Sequence, residues 1–108
     1  MNRVILEGHA GKDAEVKFTP SGKMVCTFSL ATSNDYKDKQ TDEWIKQPPT
    51  WHNITSFGKV AEELADVKKG GKIKVQGKIQ YRDWTDKQGN KRSITEILVF
   101  RVGEEEPF

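Results

Sequence analysis

Between Lys72 and Trp84 the side chains alternate with a period of two. Ile73, Val75, Gly77, Ile79 and Tyr81 take one set of positions; Lys72, Lys74, Gln76, Lys78, Gln80, Arg82 and Trp84 take the other. Successive side chains of a β-strand point to opposite faces, so this run reads as one long strand. Its first set is the core side. Its second set is an outer row of cations that ends in a tryptophan. The competing reading is an ordinary solvated face, with lysines discouraging edge pairing.

The neighbouring segments supply partners. Arg3 to Gly8 reads as a strand, apolar on both faces at Val4, Ile5 and Leu6, and Ala14 to Phe18 continues it after a turn at Lys12-Asp13. Thr19-Pro20-Ser21-Gly22 is a turn signal, and Lys23 to Thr32 a second long strand. Thr50 to Phe57 is a third. Gly58 opens the one helical pattern, with Val60, Leu64 and Val67 on a stripe, Glu62 and Glu63 early, Lys68-Lys69 in the last turn, and Gly70-Gly71 ending it. Lys91 to Val102 is the last strand, joined to the long one by the loop Asp86–Asn90. Three strand segments, a helix, then two strands predict an all-β chain: a five-stranded OB-type barrel with one α-helix between strands 3 and 4. A length of 108 residues fits one domain, 1–102, followed by a short acidic tip, 103–108.

The third strand adds aromatics to the outer row. Trp51, Asn53, Thr55 and Phe57 share one face; His52, Ile54 and Ser56 share the other. If the first face were core, Asn53 and Thr55 would need buried partners. If it is exposed, Trp51 and Phe57 offer flat apolar surfaces to a ligand. Nucleobases stack on such rings regardless of sequence, and nearby cations neutralise phosphates. A row of lysine interleaved with aromatics therefore points to a single strand, because the bases of a duplex are already stacked on each other. A protein–protein surface also uses Trp and Tyr but is depleted in Lys. The segment Asn34 to Pro49 is a long polar excursion, read as a mobile hairpin, in which Tyr36, Trp44 and Lys37-Asp38-Lys39 add a flap of the same chemistry.

Charge is consistent with an anionic ligand. The net charge is +2, but three of the 16 acidic residues are Glu104, Glu105 and Glu106, so the body is more basic than the total. The single cysteine, Cys26, lies in an apolar strand, which reads as a small buried hydrophobe in a reducing cytosol. No apolar run approaches a membrane span and the N-terminus lacks a signal-peptide core, so the chain reads as cytoplasmic with no membrane partner. An enzyme would need clustered carboxylates or a nucleophile with a base. Asp35, Asp38, Asp42 and Glu43 are interrupted by Lys37 and Lys39, and His9 and His52 stand far apart without a cysteine pair. Neither a metal, nor a cofactor, nor a catalytic residue is expected.

From Asn2 to about Val102 the chain resembles the bacterial single-stranded DNA-binding proteins, the SSB family. The resemblance is carried by Asn2-Arg3-Val4-Ile5-Leu6, Glu15-Val16-Lys17-Phe18-Thr19-Pro20-Ser21-Gly22, Phe28-Ser29-Leu30-Ala31-Thr32, Trp51-His52, Phe57-Gly58-Lys59, Lys69-Gly70 and Trp84-Thr85-Asp86 before Gly89. It implies an OB fold, usually a homotetramer, that binds and protects single-stranded DNA with little sequence specificity during replication, recombination and repair. It would act in a bacterial nucleoid or a phage-infected cell. Stacking positions fall on Trp51, Phe57, Trp84 and Tyr36, the last usually a tryptophan in the family. With them go the phosphate contacts read from the outer row and flap: Lys72, Lys74, Lys78, Arg82 and Lys37. The histidine after Trp51, His52, is associated with subunit assembly. Glu104, Glu105, Glu106, Pro107 and Phe108 resemble the family's partner-recruiting tip, which meets replication and repair proteins. The family's long linker is absent, and Glu106 stands where a small apolar residue is usual. A primosome-type OB adaptor is the alternative, separable by its dimeric mass.

Assembly is also read from the residues. Val4 and Leu6 point opposite to Ile5, and Leu98/Phe100 opposite to Ile97/Val99. A small barrel has one inside, so one set needs a subunit to cover it. Val4, Leu6 and His52 are the residues expected at that interface.

Overall fold

The structure is a computed structural model that describes residues 1–103. Eight strands and one helix follow in order: β1 (Val4–Ala10), β2 (Glu15–Phe18), β3 (Met24–Thr32), β4 (Tyr36–Lys37), β5 (Trp44–Ile45), β6 (Thr50–Phe57), α1 (Gly58–Leu64), β7 (Lys72–Thr85) and β8 (Lys91–Val102). The main sheet runs β1-β7-β8-β6-β3-β2, and a further pairing of β1 with β3 closes it into a ring. The closed ring uses β1, β3, β6, β7 and β8, with the helix between the third and fourth of them. This is the OB arrangement the strand order predicted.

Closure depends on β1 serving two neighbours. It pairs with β7 from Val4 to His9, and with β3 at His9 and Ala10. Gly8 sits at the changeover, where an added Cβ would overlap the carbonyl of Ala31. Only glycine permits that approach of two backbones.

Ala10, Cys26, Phe28, Leu30, Ile54, Val75, Ile97 and Val99 fill the barrel, and Ala61 and Leu64 of α1 complete the core. Burial pushes the Cys26 thiol above its usual range, against a weaker opposing pull from Ser56, as suits a small core residue. Val4 and Leu6 are half-buried and pack against this cluster. On β1 and β8 the apolar side chains exposed on the outside are Ile5 and Phe100, with the half-buried Leu98 near Phe100. The even positions of β1 thus turn toward the core cluster, and Ile5 turns outward.

Two expectations change. The helix ends at Leu64, short of Gly70, with no acidic residue in its first turn and no basic one in its last. The backbone beyond it is used elsewhere: Ala14 N donates to Val67 O at 2.9 Å, and Lys69 N to Asp13 Oδ1 at 2.8 Å. Ile79 and Tyr81 also lie exposed rather than in the core. The β7–β8 hairpin extends beyond β1, whose last partner on β7 is Gly77, so nothing covers its inner side. Asn2 adds one rung there, bonding both the N–H and the carbonyl of Ile79.

Candidate nucleic-acid interface

Strand registers place the outer face side by side. From β3 to β6 it pairs Val25 with Phe57, Thr27 with Thr55, Ser29 with Asn53 and Ala31 with Trp51. From β7 to β8 it pairs Lys78 with Leu98, Gln80 with Glu96, Arg82 with Ile94 and Trp84 with Arg92. Since β6 meets β8 at Thr55 and Leu98, these rows form one continuous surface. Trp51, Phe57 and Trp84 thus share a face, and all three are open, at 58%, 38% and 49% of full exposure.

The surface is built for those rings. The β6–β8 ladder has only two paired positions, Ile54 with Ile97 and Thr55 with Leu98. Toward Trp51 the strands part and leave a hollow lined by Trp51, His52, Asn53 and Ser93 to Thr95. Asn53 bridges the gap by donating to Thr95 O at 3.2 Å. The Lys23 ammonium stands 5.6 Å from the centre of the Phe57 ring, a cation–π distance.

Tyr36 lies on the flap, a β4–β5 hairpin that pairs Tyr36 with Ile45 and Lys37 with Trp44. The flap is braced at its base rather than hung on a free loop. Asn34 donates to Pro48 O and Thr50 Oγ1, and Gln47 N donates to Asp35 Oδ1. It springs from the ends of β3 and β6, near Trp51. Lys37 pairs with Asp42 at 3.1 Å.

The row of cations on β7 is divided. Lys78 and Arg82 stand with the aromatic face. Lys72 and Lys74 lie opposite His9 and Glu7 of β1, and Lys72 is 3.6 Å from the Glu7 carboxylate. Between them Gln76 is fully buried, its amide oxygen accepting from Arg3 at 2.7 Å. Alternation on β7 is intact, but the strand winds around the barrel, so its two ends face different surroundings.

Lys17, Lys23, Arg92 and Glu96 were not singled out in the sequence. Lys17 pairs with Val25, next to Phe57. Arg92 opposes Trp84 and is held by Asp86 at 3.1 Å. Period-two counting along β2 and β8 would have found Lys17, Arg92 and Glu96; nothing in the sequence marks Lys23. His52 faces inward opposite Leu30, bonded to Thr32 Oγ1 at 2.9 Å, and burial lowers its pKa. The acidic tip, Glu104 to Phe108, lies outside the described residues. Among the described residues there is no cluster of groups suited to a metal ion, and no helix is long and apolar enough to cross a membrane.

A closed OB-type barrel with exposed aromatics and cations on one face defines a binder of single-stranded nucleic acid. The single-strand binding protein family matches residues 1–103, and the chain belongs to that family. Its structure is similar to that of a Plasmodium falciparum SSB in complex with ssDNA. The two share 31% identity and a TM-score of 0.74, over 91% of this chain and 85% of the other. Proteins of this family are DNA-binding proteins rather than enzymes, and single-stranded DNA is the ligand that membership assigns to this chain.

Proposed function

We propose that this chain coats exposed single-stranded DNA without acting chemically on it, and serves replication, recombination and repair in that way. Bases stack on Trp51, Phe57, Trp84 and Tyr36, while Lys78, Lys37 and the other lysines at the rim meet phosphates. The observation that carries this reading is the exposure of Trp51, Phe57 and Trp84 on one face. Stacking contributes about 1–3 kcal/mol per base without regard to sequence.

Self-association, as a homotetramer, belongs to the same proposal. Ile5 on β1 and Phe100 on β8 are exposed apolar side chains, and the buried Gln76 Nε2 of the strand between them has no hydrogen-bond partner among the described residues. Recruitment of replication and repair proteins through Glu104–Phe108 is the remaining part of the reading, supported by an acidic segment that ends in an apolar side chain.

The test is a titration of tryptophan fluorescence with oligo-dT at low and high salt, beside a duplex control. Quenching by the single strand alone, weakened by salt, is the expected result. Equal response to duplex, or none to either, would remove the stacking platform.

A further inference from the structure

The middle of this cationic, aromatic face holds a buried carboxylate. Glu96 is only 3% exposed. Its Oε2 accepts from Thr55 Oγ1 at 2.9 Å, and its Oε1 accepts from Gln80 Nε2 at 2.8 Å. Arg82 Nε lies 3.4 Å from the same Oε1, with its side chain largely in solvent. The register puts Glu96 across from Gln80, with Arg82 one step along the same face toward Trp84. Glu96 and Thr55 line a groove of about 220 Å³ together with Lys12, Ser29, Asn53 and Arg82.

An anion buried in a surface meant for a polyanion needs a reason, because its desolvation is unfavourable and it opposes the ligand. It is satisfied by two neutral donors and one cation, and that cation is the arginine the sequence marked for phosphate. We infer that Glu96 is a specificity-determining counter-charge. It withdraws Arg82 from phosphate neutralisation and keeps phosphates off the groove floor, so that the strand lies bases-down on the sheet. Phosphates then follow the rim, where Lys17, Lys23 and Lys78 stand. Arg82 becomes a positioned planar group beside the stacked bases rather than a counterion. The inference rests on the stacking reading proposed above.

Salt dependence tests it directly. For single strands each neutralised phosphate contributes about −0.7 to the slope of log K against log salt. Glu96→Gln preserves shape and frees Arg82, so its slope with oligo-dT should steepen by about 0.7 relative to the unaltered protein. Adding Arg82→Ala to that variant should restore the original slope. Arg82→Ala alone removes the planar group beside the bases and should lower the affinity while leaving the slope unchanged, with circular dichroism checking that the fold survives loss of the cation beside Glu96. An oligomer of abasic sites, with phosphates but no bases, should bind Glu96→Gln roughly tenfold better than the unaltered protein at about 20 mM salt. A slope shallower by about 0.7 in Arg82→Ala alone would show that Arg82 already meets a phosphate, and would overturn the inference while leaving stacking intact. So would an unchanged slope in a folded Glu96→Gln. Failure of the unaltered protein to bind oligo-dT at all would overturn both readings.

Discussion

The indole of Trp51 rests against the backbone of Gly11. A methyl group on Gly11 would overlap Cζ3 of the ring and come within 2.9 Å of its Cη2 and of Ser29 Oγ. The loop cannot retreat easily, because Gly11 N donates to Ser29 O at 2.8 Å. The ring is thus backed along one edge by a residue with no side chain, which restricts its swing. Preorganisation of this kind spares the ordering that binding would otherwise require.

Gly11→Ala should therefore displace the Trp51 ring and weaken oligo-dT binding by about tenfold, within the range of one stacked base. Trp51→Phe, whose smaller ring leaves space beside the methyl, should reduce the penalty of Gly11→Ala in the double variant. Circular dichroism should show the fold unchanged. Equal affinity of Gly11→Ala and the unaltered protein would mean that the ring finds its stacking position unaided.

His52 links stability to pH. Burial holds the ring neutral, so its pKa in the folded chain lies below the ordinary 6.5. The unfolded chain then takes up a proton first as the solution is acidified. Stability should be flat above about pH 7 and should fall as pH drops through about 6.5, levelling once the folded ring is also protonated. Melting temperatures between pH 7.5 and 5.5 would show the fall. His52→Gln should flatten it.

The strands, their order and the face shared by Trp51, Phe57 and Trp84 were legible in the sequence because side-chain alternation is a local property. What alternation cannot show is how far a strand's neighbours extend. Ile79 and Tyr81 fit the core pattern, yet the pairing of β7 with β1 ends at Gly77, so they stand in solvent. Lys72 and Lys78 share one side of β7, yet barrel curvature gives them different surroundings. The early end of α1 has the same origin: Val67 keeps the core stripe while its backbone bonds Ala14 instead of extending the helix. Thr55 shows a subtler limit. Sequence offered either an exposed face or a buried one needing partners, and both hold, with Thr55 buried on Glu96 between exposed rings.

Assembly has a sharp probe in Phe100. The register pairs Gln76 with Arg101 and Gly77 with Val99, which leaves Phe100 bulged out of the β7 ladder, and it is about half exposed. A charge on that side chain costs the fold little and would be forbidding inside an apolar contact. Phe100→Glu should reduce the mass in solution, measured by sedimentation, with the melting curve of the dissociated species still cooperative. A mass unchanged from that of an oligomeric parent would place the proposed contact elsewhere on the barrel, and a monomeric parent would remove it.

Asp86 governs the tip that carries Trp84. Its Oδ1 accepts from the backbone N–H groups of Gln88 and Asn90, both at 2.9 Å, and its Oδ2 from Arg92 Nε at 3.1 Å. The Asn90 amide, with Arg92 behind it, holds the carboxyl below its usual range against an opposing desolvation. What Asp86 contributes is present above about pH 3.8 and is lost as pH falls through its lower folded value. Arg92 in turn stands across from Trp84. Asp86→Ala should loosen both, speeding amide exchange at Gln88 and Asn90 and reducing the quenching of Trp84 by oligo-dT. The loss of affinity should be smaller than in Trp84→Ala, since the ring remains and only its support is gone. The melting temperature should fall modestly near neutral pH, where the ionised carboxylate contributes. An affinity equal to that of the parent, with exchange at the tip accelerated, would show that Trp84 stacks without help from the turn.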